Sequence, residues 1–241
     1  MAHPLIDNRY MVRLDFTETL LGSQPTDNIA INYLRDKQTE ALMLELKAEG
    51  MAHKAAQAAA AERVNESLEL VDEDNPLHVT GFASDSRGLH LWDNQIKGAI
   101  KGINKVLGLK VAGKRSGGTA WASPDIQTKL WIFSPDGKRR IPLMRDGQRI
   151  TEPDRLLVRP LRAQTPQGMR TSIATSEAID PPCSISFRID LLRGHRITRD
   201  LLETILSFGA FEGLGQWRSS GLGRYELAML DEVPLKDEVA V

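Results

Sequence analysis

The stretch Gly213-Leu-Gly-Gln-Trp-Arg-Ser-Ser-Gly-Leu-Gly223 sets two Gly-Leu-Gly units around an aromatic ring and a cation. Glycines Gly213, Gly215, Gly221 and Gly223 admit φ > 0 and let a ligand or another chain approach without a Cβ in the way. Arg218 and Arg224 can hold an anion, and Trp217 offers a face on which a base can stack. The spacing fits neither GxxxxGK[ST] nor GxGxxG, because Arg218 stands where a third glycine would be. Those two loops also run from strand into helix, whereas this one leaves a helix and enters the strand-like "RYELAML", so no helix N-terminus helps to hold an anion. A plain turn with closely packed glycines is the structural reading of the same residues.

Other candidate anion holders are cations at suggestive spacing. Lys97, Lys101 and Lys105 fall four residues apart, which aligns their ammonium groups along one face of a helix. Lys114 and Arg115 precede the pair Gly117-Gly118 in a loop, and Arg159, Arg162 and Arg170 punctuate "RPLRAQTPQGMR". The net charge of −1 hides an uneven distribution. From Lys97 to Arg224 there are 22 Lys+Arg against 11 Asp+Glu, and since the totals are 31 and 32, the remainder carries 9 and 21. The cationic stretch points to a polyanion-binding surface, although charges scattered over all faces would give the same count. Metal chemistry has no support: His78, His90 and His195 show neither HxxxH spacing nor a cysteine partner, and Cys183 is the only cysteine. No metal and no cofactor is expected. The run Asp72-Glu73-Asp74 reads as solvated charge.

The elements that must position these residues follow from periodicity. "YMVRLDFTE" alternates Tyr10, Val12, Leu14 and Phe16 against polar neighbours, the period of a strand with one buried face. "LLGSQPTDN" supplies turn chemistry. Residues 33–70 are rich in Ala, Leu, Glu, Lys and Gln and predict helix, broken near Gly50 and ended at the acidic "VDEDNP" by Pro76. "DNQIKGAIKGINKVLG" predicts a helix capped by Asp93 or Asn94, with Ile96, Ile100, Ile103 and Leu107 inward. "GLKVAGKRSGGTAWASPD" reads as loop, "TKLWIF" as strand, and "TEPDRLLVRPLRAQTPQGMR" as a proline-interrupted segment too broken for a helix. "CSISFRIDLL" alternates again. "TRDLLETILSFGAF" is a helix capped by Thr198, and "RYELAML" a last strand. The order strand, helix, strands, helix, strand predicts an α+β fold: a ferredoxin-like, RRM-like antiparallel sheet with two helices packed on it. The expected division is a discontinuous domain of residues 1–32 and 79–230, a helical insertion at 33–78, and an acidic tail at 231–241.

The spacing of the loop then carries a resemblance. G-Φ-G, five residues including a cation, and G-Φ-G again, placed between a last helix and a last strand, resembles the glycine-rich signature of the RAMP superfamily of CRISPR-associated proteins. "GLHLWDNQIKGAIKGI", residues 88–103, is similar to the family's first-helix motif, with Lys97, Gly98, Ala99, Ile100 and Lys101 at its K-G-A-(I/L)-(K/R) positions. The resemblance covers the strand at Tyr10 and most of 82–230, and leaves 33–78 without a counterpart. It implies the branch that forms the backbone of effector complexes and binds guide RNA along a basic groove.

On that basis the expected function is non-sequence-specific binding of single-stranded RNA, or single-stranded DNA, by a protein that is a homo-oligomer along the strand or a subunit of a larger ribonucleoprotein. The binding residues would be Lys97, Lys101, Lys105, Lys114, Arg115, Arg159, Arg162, Arg170 and Arg218, with Trp217 or Trp121 stacking a base. Some relatives so implied are metal-independent endoribonucleases using a histidine near the end of the first strand, a position not filled here. The weak candidates are Asp27, in a turn, and His53, in the helical segment, and each has a plainer structural role. A third reading is a RAMP fold reused as a structural or inhibitory protein that docks on another complex. No apolar run is long enough for a membrane span and "MAHPLIDNRY" lacks a signal peptide's pattern, so the expected location is cytoplasmic.

Overall fold

The computed structural model describes residues 5–25, 39–40, 42–48, 50–67, 79–113, 119–165 and 168–235. They divide into two compact units. One gathers the described residues within 1–23, 82–155 and 177–241, and the other those within 24–81 and 156–176.

The first unit is α+β and built on a large antiparallel sheet. Its strands are β1 (Ile6–Phe16), β5 (Ala83–Asp85), β6 (Gly88–Trp92), β9 (Leu130–Phe133), β10 (Arg140–Arg145), β11 (Gln148–Arg149), β14 (Cys183–Leu192) and β15 (Tyr225–Glu232). The order is β15-β1-β14-β10-β6-β5, with β9 also on β14 and β11 on β10. Both β9 and β10 run antiparallel to β14, β9 along Arg188 to Leu191 and β10 along Ser184 and Ile185. They therefore continue one another along its edge, and β10 then turns its first residues toward β6. Two-residue β2 (Leu20–Leu21) follows β1 and pairs with Ala178 and Ile179.

Period-two patterning decides which side of the sheet is dry. Tyr10, Val12, Leu14 and Phe16 of β1 and Ile185, Phe187, Ile189 and Leu191 of β14 are all buried in one apolar core. Helices α3 (Asp93–Leu107) and α5 (Arg199–Ser207) pack into that core through Ile96, Ile100, Ile103 and Leu202, Ile205, Leu206. Thr198 caps α5 as expected, accepting the Leu201 N–H at 3.2 Å. The expected cap of α3 differs: the Asp93 carboxylate is held by Arg139 Nε at 2.9 Å, while Gln95 reaches back to accept the Trp92 N–H at 2.7 Å.

Two segments not assigned to a helix or a strand turn out to be regular. Short α4 (Ser123–Lys129), with Pro124 in its first turn, follows a small hairpin of β7 (Lys110–Ala112) and β8 (Thr119–Trp121). The proline-interrupted stretch read as unable to form a helix contains β12 (Arg155–Thr165) and the start of β13 (Gly168–Ile179). Pro160 is compatible with β12 because that strand ends its sheet, and an edge strand has N–H groups outside the ladder.

The second unit contains the sheet β12-β13-β4-β3, with β3 (Gln24–Pro25) antiparallel and β13 parallel to β4 (Val79–Gly81). It also holds helix at 42–48 (α1) and α2 (His53–Ser67), joined by a small cluster of Leu46, Ala56 and Ala60. The segment 156–176, expected to belong with the ferredoxin-type sheet, groups with 24–81 instead.

Candidate functional site

The glycine loop is shaped by its own packing. Helix α6 (Gly209–Glu212) leads into it, and a single 3-10 turn, Arg218–Ser220, lies at its centre. Gly213, Gly215, Gly221 and Gly223 have φ of 71°, 83°, 87° and 69°. A Cβ on Gly213 would lie 2.6 Å from the Leu222 carbonyl oxygen, one on Gly215 would lie 2.7 Å from that of Leu21, and one on Gly223 would fall on the Leu214 carbonyl. The loop is tied down further: Leu214 N–H donates to Gly223 O and Gly223 N–H to Thr19 O, both at 2.8 Å. The expectation that these glycines leave backbone open to a ligand is thus corrected for Gly213, Gly215 and Gly223, which let the loop fold onto itself and onto the chain after β1. Trp217 is half-buried at φ 58°, and Arg218 Nη1 lies 3.4 Å from Glu212 Oε1.

The two quoted motifs nevertheless meet. A groove of ≈350 Å³ is lined by Ser23, Gln95, Gly98, Leu214, Gly215 and Arg218. Its helical wall is α3 at Gln95, Gly98 and Ala99, and Lys101, Gly102 and Lys105 follow further along the same helix. Lys101 and Lys105 are exposed and neither makes an ion pair among the described residues. A Cβ on Gly98 would have nothing within 4 Å, and one on Gly102 would meet only Arg218 Nη1, at 3.9 Å. A glycine inside a helix costs roughly 0.5–1 kcal/mol relative to alanine. Nothing among the described residues requires either of these.

Lys97 does not join that face. Its Nζ sits 4.7 Å from the ring centroid of Trp131 on β9, while Arg218 lies against Gly102 on the other flank of α3. Burial, and then the charge of Lys101, lower the Lys97 pKa. A matching pair, Lys110 over Trp121 at 5.2 Å, stands on the β7–β8 hairpin, with Trp121 well exposed. Arg159 is a second departure: it is 5% exposed on β12, and burial disfavours its charge. Arg162 and Arg170 lie on β12 and β13 with side chains outside those described, and Lys114 and Arg115 lie outside the described residues.

The arginine surplus is also smaller in effect than in count. Arg139 pairs with Asp93, Arg140 with Asp85, Arg145 with Asp154, Arg155 with Asp180 and Arg196 with Asp125, at 2.6 to 3.0 Å. Counting charges along the chain cannot register such pairing.

For chemistry on a substrate, His53 is exposed at the start of α2 and makes no hydrogen bond among the described residues, and Asp27 and His78 lie outside them, as does the acidic run at 72–74. His195 is structural: its Nε2 donates to Asn8 Oδ1 at 2.8 Å while its Nδ1 accepts the Ile197 N–H. His90 is buried in β6, edge-on to Trp92, and burial lowers its pKa. Among the described residues no cluster of His, Cys, Asp and Glu is placed to hold a metal ion, and no helix is long and apolar enough to cross a membrane.

Residues that pattern reading passed over are Trp131 and Arg188. Both occupy the polar phase of an alternating strand, next to the buried Leu130 and Ile132 and the buried Phe187 and Ile189. An aromatic residue at such a position, facing away from the core, was the available signal.

No protein-family model matches the chain, and no curated protein does. Among solved structures, a chain of the "Cryo-EM structure of the Type III-B Cmr-beta bound to cognate target RNA" is similar at 10% identity and a TM-score of 0.42. The match covers 95% of this chain and 61% of that one, so this chain spans less than two thirds of its length. At that score the likeness is too weak to carry a fold or a ligand across.

Proposed function

We propose that this chain is a RAMP-type, ferredoxin-like protein that binds single-stranded nucleic acid, RNA before DNA, along the outer face of α3. The observation that carries the reading is the pair of helix glycines, Gly98 and Gly102, whose missing side chains the fold does not need. Arg218 lies beside them, and Lys101 and Lys105 stand further along the exposed side of α3, so a sugar-phosphate chain laid along the helix would pass bare backbone and three cations. The convergence of the K-G-A helix and the glycine loop on one groove supports the family reading. So does the antiparallel order β15-β1-β14 with β9 and β10 beyond it, in a chain where α3 precedes β9, β10 and β14 and α5 stands between β14 and β15. Binding of this kind tracks phosphates and is indifferent to sequence. A row of copies along one strand, or a place in a larger ribonucleoprotein, belongs to the same proposal.

Fluorescence anisotropy with a labelled ~30-nucleotide RNA tests it. Affinity should fall with salt, and the doubly substituted Lys101→Gln/Lys105→Gln should lower the log–log slope by about 1.4, at about 0.7 per phosphate contact on a single strand. Absence of binding at low salt overturns the reading. RNA recovered with its ends intact separates binding from the endoribonuclease that Asp27 or His53 would serve.

A further inference from the structure

Trp121 is 59% exposed at the end of β8, yet its place is fixed from several sides. Across the hairpin it pairs with Lys110, whose Nζ lies 5.2 Å from the ring centroid. The next residue, Ala122, is buried and donates its N–H to Leu109 O at 3.1 Å, and Asn104 Nδ2 donates to Ser123 Oγ at 2.8 Å. The base of the hairpin is thereby tied to the last turn of α3. At the helix end Gly108 turns left-handed with φ 59°, and a Cβ there would lie 3.7 Å from Trp121 Cζ3. The indole edge therefore stands against the C-terminal cap of α3.

One exposed aromatic residue on a surface is ordinary and points to nothing by itself. Its position at the end of a row of cations does. Lys101, Lys105 and Gly108 follow one another at spacings of four and three, so they lie along one side of α3, and all three are exposed. A strand laid on Lys101 and Lys105 thus comes to the indole within about one further helical turn, roughly 5 Å of axis. The helix end also sorts the two parts of a nucleotide. Its last carbonyls carry partial negative charge, which disfavours a phosphate and accepts hydrogen bonds from the amino group of a base. Lys105 precedes that end and exposed Lys110 follows it, with the indole between them in space.

We infer that the end of α3 and the β7–β8 hairpin form a base-stacking subsite, in which one nucleobase of the bound strand lies on Trp121 while Lys105 and Lys110 hold the flanking phosphates. The inference rests on the strand-binding reading and deepens it in two ways. It assigns the stacking to Trp121 and not to Trp217, which is half-buried in a loop folded onto its own backbone. It also adds Lys110, which the charge pattern of the sequence did not single out. Lys110 steadies the ring and, being exposed, meets a phosphate with the same ammonium.

The test uses the full chain with a ~30-nucleotide adenosine-only RNA and, in a second arm, an abasic sugar-phosphate strand of the same length. Trp121→Ala should weaken RNA binding about tenfold, the usual loss for one stacked base, and leave the salt slope as it is, because stacking releases no counterion. Trp121→Phe should stay within about threefold of wild type, since a stacking face remains. On the abasic strand Trp121→Ala should bind as wild type does. Lys110→Gln should lower the salt slope by about 0.7, and ultraviolet crosslinking with 5-iodouridine RNA should give an adduct on Trp121. Trp121→Ala that binds RNA as tightly as wild type, or that weakens both strands equally, overturns the subsite and leaves strand binding intact. So does an unchanged slope in Lys110→Gln, or an adduct confined to Trp217 or Trp131. If wild type binds no RNA at low salt, strand binding itself has failed.

Discussion

Replacing Gly98 by alanine should make the protein more stable and a poorer binder at once. The residue lies in the middle of α3 with ordinary helical backbone, and its new methyl would have no heavy atom within 4 Å. Alanine then contributes its full helix preference, about 0.5–1 kcal/mol, with no clash to set against it. Gly102→Ala adds a similar amount, since its one neighbour, Arg218 Nη1 at 3.9 Å, is at ordinary contact distance. Together they should stabilise by about 1–2 kcal/mol, and a chain of this size gains roughly 2–4 °C in Tm per kcal/mol. Affinity should move the other way. If the strand lies against the helix there, a methyl that holds it off Lys101 or Lys105 costs about one phosphate contact, roughly 1.5 kcal/mol, and raises Kd about tenfold. Gly98→Leu, a bulkier obstacle and still a good helix former, should cost more. Calorimetry and anisotropy on the same samples decide the matter. Variants that melt higher and bind RNA as wild type does would show that the glycines are not kept for a ligand. Variants that melt lower would show that the fold needs them after all.

In the loop, Gly223→Ala should do the opposite, destabilising by about 2–4 kcal/mol, because a positive φ and a collision with the Leu214 carbonyl combine there; denaturant titration reads it. Asp180 should give the protein an acid limb. Hydrogen bonds from Arg155, then from Thr19, hold its pKa down to about 2, so its contribution is complete above the ordinary carboxylate pKa of about 4 and is lost as pH falls through about 2. Melts across that window should steepen less in Asp180→Asn. Cys183, whose thiol is pushed up to about 12 by burial, should resist a thiolate-selective reagent at pH ~8 in the native state and react in full on unfolding, since thiolate is the reacting form. Native reaction at the denatured rate would contradict that burial.

How far the fold was legible depended on whether a pattern meets one environment. β1, β14 and β15 have one buried and one open side, so alternation announces them, and Thr198 announces α5. β12 escaped because Pro160 normally argues against a strand, and only its place at a sheet edge removes the objection. Short α4, seven residues long, was hidden behind Pro124, which serves in its first turn. In the site, the lysine spacing was visible and the departure of Lys97 was not, because Lys97 is drawn aside by an aromatic ring 34 positions further along, Trp131. Three of the four loop glycines, read as open to a ligand, are filled by the protein's own backbone. Spacing reveals a positive-φ loop but cannot distinguish a glycine that accommodates its own chain from one that leaves room for another.

The place of β1 between β14 and β15 also bears on how the chain comes into being. Arg9 and its buried partner Asp190 are 181 residues apart, and Tyr10 is paired with Ile189 on one side and Glu232 on the other. At a synthesis rate of about 5–20 residues per second, the interval between partners is on the order of 10–40 s. Through that interval the central strand of the sheet has both edges open, and neither helix that covers its apolar face can close the core without β14. Residues made much later complete the first strand, so folding of this unit waits on distant partners and is slow by topology. A nascent strand in that condition is a natural client for whatever shields unpaired edges in the cell.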